Sequence, residues 1–290
     1  MSSSPHLRGI LLALAGFTFW VLADTTIKVV GRSPLPAYEV LGFMGLFVSI
    51  SVAVYCFIRR ELRRLKPVAP HHQVVRSLLD LVNNLCVVVA LRHVTLPLFY
   101  ILVFMAPLAV TLLAALFLRE LIGTRRLLAV LAGFAGVIIA VNPFSSSRQG
   151  DLTGYAACMV CVACFSVNIV WSRVLLRTEA PESLTFFSGI VQVGAGLIGM
   201  FFHAAPVDGK LLIGLVGVGI FCAGGALCVF GALRYISASS VTQYHYTQLL
   251  TGSLVSWLIW RQPPTLWMAA GGVLIAAAGL YVALPRTHSA

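Results

Sequence analysis

Several side chains able to do chemistry stand inside long apolar runs. Trp20, Asp24 and Lys28 recur at four-residue spacing, which puts them on one face of a helix. An ionisable group in such a run costs at least about 2.5 kcal/mol on insertion scales, so a carboxylate there is either paired or functional. Lys28 is the expected partner of Asp24, and gating or cation recognition by Asp24 is the alternative. Arg76 and Asp80 repeat the spacing and read as a second self-neutralising pair, with coupling or gating by Asp80, as by Asp24 and Lys28, the alternative. Asn83 and Asn84 follow them, and two adjacent amides cannot both face lipid cheaply. At least one is expected to line a cavity or hold a neighbouring helix.

From Thr242 to Gln248 seven consecutive residues are polar or amphipathic. Tyr244 and Gln248 are expected to share a face and contact a solute. His245 can protonate near neutral pH, which makes it a coupling candidate; the alternative is a neutral, hydrogen-bonded ring. Tyr100 and Phe104 share another face, one turn before Pro107. The missing N–H of Pro107 kinks a helix and offers a hinge. Trp20 is too deep for an interfacial aromatic belt and suits a cavity wall instead. Asn168 and Trp171 are further candidates. These groups bind and gate. They do not catalyse: H-E-x-x-H, G-x-S-x-G and paired carboxylates within one span are all missing from the sequence, so no enzyme is expected. Cys158, Cys161 and Cys164 lack a fourth ligand and lie in an apolar helix. They read as small hydrophobes, with neither metal nor cofactor expected.

What positions such groups is a membrane bundle. Of 290 residues, 59% are apolar and 10% charged, against about 25% charged in soluble domains. Nine acidic residues cannot wrap a soluble core. The net charge of +11 falls in short clusters between apolar runs, as at bilayer surfaces. That distribution, with no finger or RNA-binding motif, excludes a nucleic-acid partner. Runs of about 20 residues, enough to cross the hydrocarbon, fall near 8–30, 36–58, 71–92, 96–118, 125–142, 151–173, 181–203, 210–233, 238–260 and 265–284. They do not alternate in polarity, which excludes an outer-membrane barrel. A signal peptide at the first run is disfavoured, because that segment has a counterpart downstream.

The counterpart belongs to an internal repeat. Leu91-Arg92-His93-Val94-Thr95 matches Leu233-Arg234-Tyr235-Ile236-Ser237 at an offset of 142, while Gly9, Lys28 and Pro36 match Gly154, Arg173 and Pro181 at 145. Each copy, 1–144 and 145–290, holds five spans. An odd number forces opposite insertion, which makes an inverted repeat with any substrate site near the bilayer midplane. The predicted fold is therefore all-α, with ten transmembrane helices. Thirteen Lys and Arg residues on one side against six on the other predict that both termini are cytoplasmic.

Pro107 with Phe117-Leu118-Arg119-Glu120, followed by Ala129, Gly133 and Gly136, resembles the EamA repeat of the drug/metabolite transporter superfamily. In the second copy Gln262 replaces the acid, before Gly272 and Gly279. The resemblance implies eight spans around a central cavity, with the fifth and tenth peripheral, and alternating access. It also implies a bacterial inner-membrane exporter of aromatic and other neutral amino acids and related metabolites. Carriers of other amphipathic or cationic solutes, a channel and an intramembrane enzyme are the alternatives. The expected partners are a small-molecule substrate and the lipid bilayer, with the chain a monomer or homodimer.

Overall fold

A computed structural model describes residues 5–31, 33–117, 124–141, 150–261 and 265–283. Among them the ten predicted spans are present, eight as single helices and two interrupted. The first half holds α1 (Pro5–Val30), α2 (Ala37–Ile58), α3 (Pro70–His93), α4 (Leu96–Val103), α5 (Met105–Phe117) and α6 (Thr124–Val141). The second holds α7 (Leu152–Leu175), α8 (Pro181–Phe202), α9 (Gly209–Ala232), α10 (Ala238–Gln243), α11 (Thr247–Trp260) and α12 (Leu266–Ala283). Six of these helices are long and apolar enough to cross a membrane.

Local chemistry sets the helix starts. Proline opens α3 and α8, where a missing N–H costs nothing. Asp151, Asp208 and Ser237 cap α7, α9 and α10 by accepting backbone N–H groups three residues on. The cap bond from Gly154 and the contact with His93 hold the exposed Asp151 carboxyl below its usual range. A depressed carboxyl supports the folded state at neutral pH and withdraws that support as pH falls through its own pKa.

The largest packing faces run between halves rather than within them. α1 packs on α9, α3 on α7, α2 on α8, and α6 on α12. Exchanging the halves turns the first contact into the second and maps the other two onto themselves, as a two-fold axis requires. The contacts of α5 with α7 and of α11 with α1 exchange in the same way. Each half thus buries its apolar faces mainly against its partner half.

The matched sequence segments do the stitching. Arg92 donates to the Leu35 carbonyl at 2.6 Å, and its counterpart Arg234 donates to the Glu179 carbonyl at 3.2 Å. Each ties a helix end to the loop before α2 or α8. Gly9 lies against Ile236, and Gly154 against Val94. A Cβ on Gly154 would stand 2.7 Å from the Val94 side chain and 2.8 Å from His93, too close for any real pair. Gly154→Val should therefore lower the thermal midpoint of the detergent-solubilised protein, by an overpacking cost of about 1–3 kcal/mol. An unchanged midpoint would refute this reason for the glycine.

Gly136 and Gly271 let α6 and α12 approach closely, so this small-residue contact is made within the chain. Around the flanks, large apolar side chains face outward, among them Phe201 (87% exposed), Ile213 (75%) and Leu266 (88%). Lipid, not water, suits such a belt.

Candidate substrate-binding cavity

Between the halves lies a cavity with about 970 Å³ of atom-free space, a figure that takes in the open space at its mouth. Its lining mixes the aromatic rings of Trp20, Phe99, Phe165 and Phe230 with the amides of Asn83, Asn84, Asn168, Gln192 and Gln248. Asp24, Asp80 and His245 also line it, and the lining contains neither Lys nor Arg among the described residues.

Asp24 does not pair with Lys28 as the spacing suggested. Its carboxylate accepts the Tyr100 hydroxyl at 3.0 Å. The Lys28 ammonium donates instead to the carbonyls of Leu91 (3.0 Å) and Val94 (2.7 Å) at the end of α3. Carbonyls at a helix C-terminus lack intrahelical donors and carry the negative end of the helix dipole, which is why they capture the cation. Tyr100 is fully buried behind Asp24. It reaches the cavity only through that carboxylate.

Arg76 and Asp80 likewise form no direct ion pair among the described residues; Asn168 stands between them. Arg76 is 0% exposed and donates from Nη1 to Asn168 Oδ1 (3.2 Å) and from Nη2 to the Leu184 carbonyl (2.5 Å) and Ser188 Oγ (2.6 Å). Asn168 in turn donates from Nδ2 to Asp80 Oδ1 at 2.9 Å, and Gln192 donates to the other Asp80 oxygen at 3.4 Å. The charges are balanced through an amide relay that joins α3, α7 and α8. Asn83 accepts the Cys161 thiol at 3.2 Å, so both adjacent amides reach the cavity while one also grips α7.

The two interrupted spans break at repeat-related points. α4 ends before Phe104, three residues short of Pro107, whose ring excludes the carbonyl one turn back. In the second half the break is a 3₁₀ turn, Tyr244–Tyr246. Three residues per turn bring positions three apart onto one face, so His245 and Gln248 line the cavity together. Tyr244 is absent from the lining and packs, half-buried, on the apolar cluster behind Trp20 and Phe165. That corrects the expected Tyr244–Gln248 face. Gln248 donates to the Phe17 carbonyl at 3.0 Å, tying the broken span to α1. Phe104 is also off the wall, fully buried and edge-on to His245 at 5.8 Å. Phe17 stacks on the same imidazole at 4.9 Å and Phe165 tilts against it at 5.4 Å. Pro107 sits outside the lining.

Gln192, Phe165 and Phe230 line the cavity without having been singled out. A lone amide or ring in an apolar run has no spacing signal, although Gln192 could have been found as an unclustered amide within a span.

A ten-span, two-fold bundle around a central cavity lined by rings, amides and carboxylates is the architecture of a multi-pass membrane transporter for small molecules. The chain belongs to the EamA-like transporter family, whose pattern matches it twice, over residues 7–142 and 152–284. It is 27% identical to the pseudopaline exporter CntI of Pseudomonas aeruginosa (strain UCBPP-PA14), covering 96% of each chain. It is 22% identical to an S-adenosylmethionine uptake transporter of Rickettsia felis, over 91% of this chain and 90% of the other. With a riboflavin transporter of Rhizobium johnstonii it shares 25% identity over 93% and 89%. A solved crystal structure superposes with a TM-score of 0.69 at 18% identity, covering 97% of both chains, a likeness of fold. The chain is a small-molecule transporter and not an enzyme.

Proposed function

We propose that this carrier exports amphipathic metabolites, amino acids with aromatic or other neutral side chains and related compounds, across the bacterial inner membrane by alternating access. The observation that carries the reading is the mixed lining of the cavity. Trp20, Phe165 and Phe230 offer apolar surface, while Asn83, Asn84, Asn168, Gln192 and Gln248 offer amide donors and acceptors. A neutral amino acid combines the same two chemistries, an apolar side chain and hydrogen-bonding groups. A lining without Lys or Arg disfavours strongly anionic cargo such as sugar phosphates. The relatives named for pseudopaline, S-adenosylmethionine and riboflavin support small-molecule transport in the fold while leaving the solute to the cavity. The 13-to-6 charge bias supports cytoplasmic termini, and the two copies, 1–144 and 145–290, build the two-fold scaffold for alternating access.

The test is counterflow in proteoliposomes across a panel of labelled amino acids. Saturable, trans-stimulated exchange of phenylalanine and other neutral amino acids is expected, with Asn84→Leu or Gln248→Leu changing the order of preference. Uptake equal to that of protein-free vesicles would remove the reading. Flux without trans-stimulation would make the protein a channel.

A further inference from the structure

The two carboxylates on the cavity wall are not equivalent. Asp80 is engaged by Asn168 at 2.9 Å and Gln192 at 3.4 Å, and through Asn168 it is linked to the buried guanidinium of Arg76. Its countercharge is supplied by the protein. Asp24 lines the same cavity, and the bond described for it is to a neutral phenol, Tyr100, at 3.0 Å. The cation one turn away on its own helix, Lys28, is spent on two carbonyls of α3. An anion held in an apolar bundle without a cation in contact is a strong attractor for one. Trp20 lies one helical turn before Asp24 and also lines the cavity.

The apolar surface of Trp20 and Phe165, whose rings meet edge-on at 5.9 Å, would take the remainder of a cationic solute.

We propose that Asp24 is the counter-ion for a protonated amine on the transported solute, so that the carrier selects ammonium-bearing metabolites and rejects their deaminated analogues. This rests on the amino-acid export reading and narrows it: the amine is the group recognised by charge, while the carboxylate meets amides. Tyr100 is a positioning residue that holds the Asp24 carboxylate at the wall.

The experiment compares counterflow of L-phenylalanine, phenethylamine and 3-phenylpropionate, which share a ring and differ in amine and carboxylate. The unmodified protein should exchange the first two at least about tenfold better than the third, because a site built around a buried polar group penalises an analogue that leaves it unpaired. Asp24→Asn keeps an acceptor for the Tyr100 hydroxyl and should bring the three within about twofold. Asp80→Asn, whatever it does to rate, should retain the preference for the amine. If the unmodified protein exchanges 3-phenylpropionate as well as phenethylamine, the assignment is overturned without any variant having to fold. A tenfold preference surviving in Asp24→Asn overturns it too. In both cases exchange of phenylalanine leaves the export reading standing. Exchange of none of the three overturns the amino-acid reading and this inference with it.

Discussion

Arg76→Met should accumulate in the membrane at a small fraction of the normal level, and what survives extraction should lose its folded peak at a much lower temperature. The guanidinium is 0% exposed and bonds α7 and α8 from α3 through Asn168, Ser188 and the Leu184 carbonyl. Removing one partner of a buried charge system costs about 3–5 kcal/mol, because the remaining charge is left uncompensated. Here that charge is Asp80. Combining Arg76→Met with Asp80→Asn should therefore recover a good part of the loss. Arg76→Lys should not, since a point-like ammonium cannot reach acceptors on two other helices at once. The measurement is size-exclusion peak height after graded heating. A single variant as stable as the parent, or a double variant no better than the single, would dispose of the relay.

The second large effect belongs to one end of the bundle. Glu179, 1% exposed, accepts the backbone N–H groups of Val68 and Ala69, both at 2.8 Å, just before α3 begins. Beside it Arg64 reaches Glu182 at 3.2 Å. These contacts tie the α2–α3 loop of one half to the α7–α8 loop of the other, so under the alternating-access proposal they oppose separation of the halves at that end. Hydrogen bonds to a charged acceptor are worth about 1.5–3 kcal/mol. Glu179→Ala should shift the balance toward an open end by one to two orders of magnitude, and Glu179→Gln, which keeps an acceptor without the charge, by clearly less. Spin labels at the exposed positions Leu62 and Arg177, in a cysteine-free background, should show a longer-distance population in Glu179→Ala. An unaltered distance distribution would mean that the clasp does not govern closure. Arg64→Ala should do far less, because its side chain is 45% exposed and solvent-exposed ion pairs contribute little.

How much of this was legible follows the physics of the signal. The ten spans were, because hydrocarbon thickness imposes a length and Pro or charge marks the ends. The two-fold arrangement was legible from the matched pentapeptides, whose Arg92 and Arg234 turned out to staple equivalent loops. Asp24 and Asp80 stood out because ionisable groups are costly in apolar runs. Their partners did not. Four-residue spacing proposes Lys28 for Asp24, but helix-end carbonyls more than 60 residues away in sequence compete for the same ammonium, and such competition has no local signature. Tyr244 falls off the predicted face because 100° per residue does not hold across a turn that is 3₁₀. In the first half Pro107 betrays the interruption; no proline marks the second. There Thr247 Oγ1 donates to the Tyr244 carbonyl at 2.7 Å and Gln248 holds α1, so polar side chains replace what the backbone gives up.

The two interruptions differ in whether they can be repaired. Residue 107 is proline, so no rearrangement can return an amide proton to the carbonyl of Val103. Its repeat-related residue, Leu249, keeps that proton and could rewind. One discontinuity is permanent and the other reversible. The two broken spans are therefore chemically unlike, even though the scaffold that carries them is nearly symmetric.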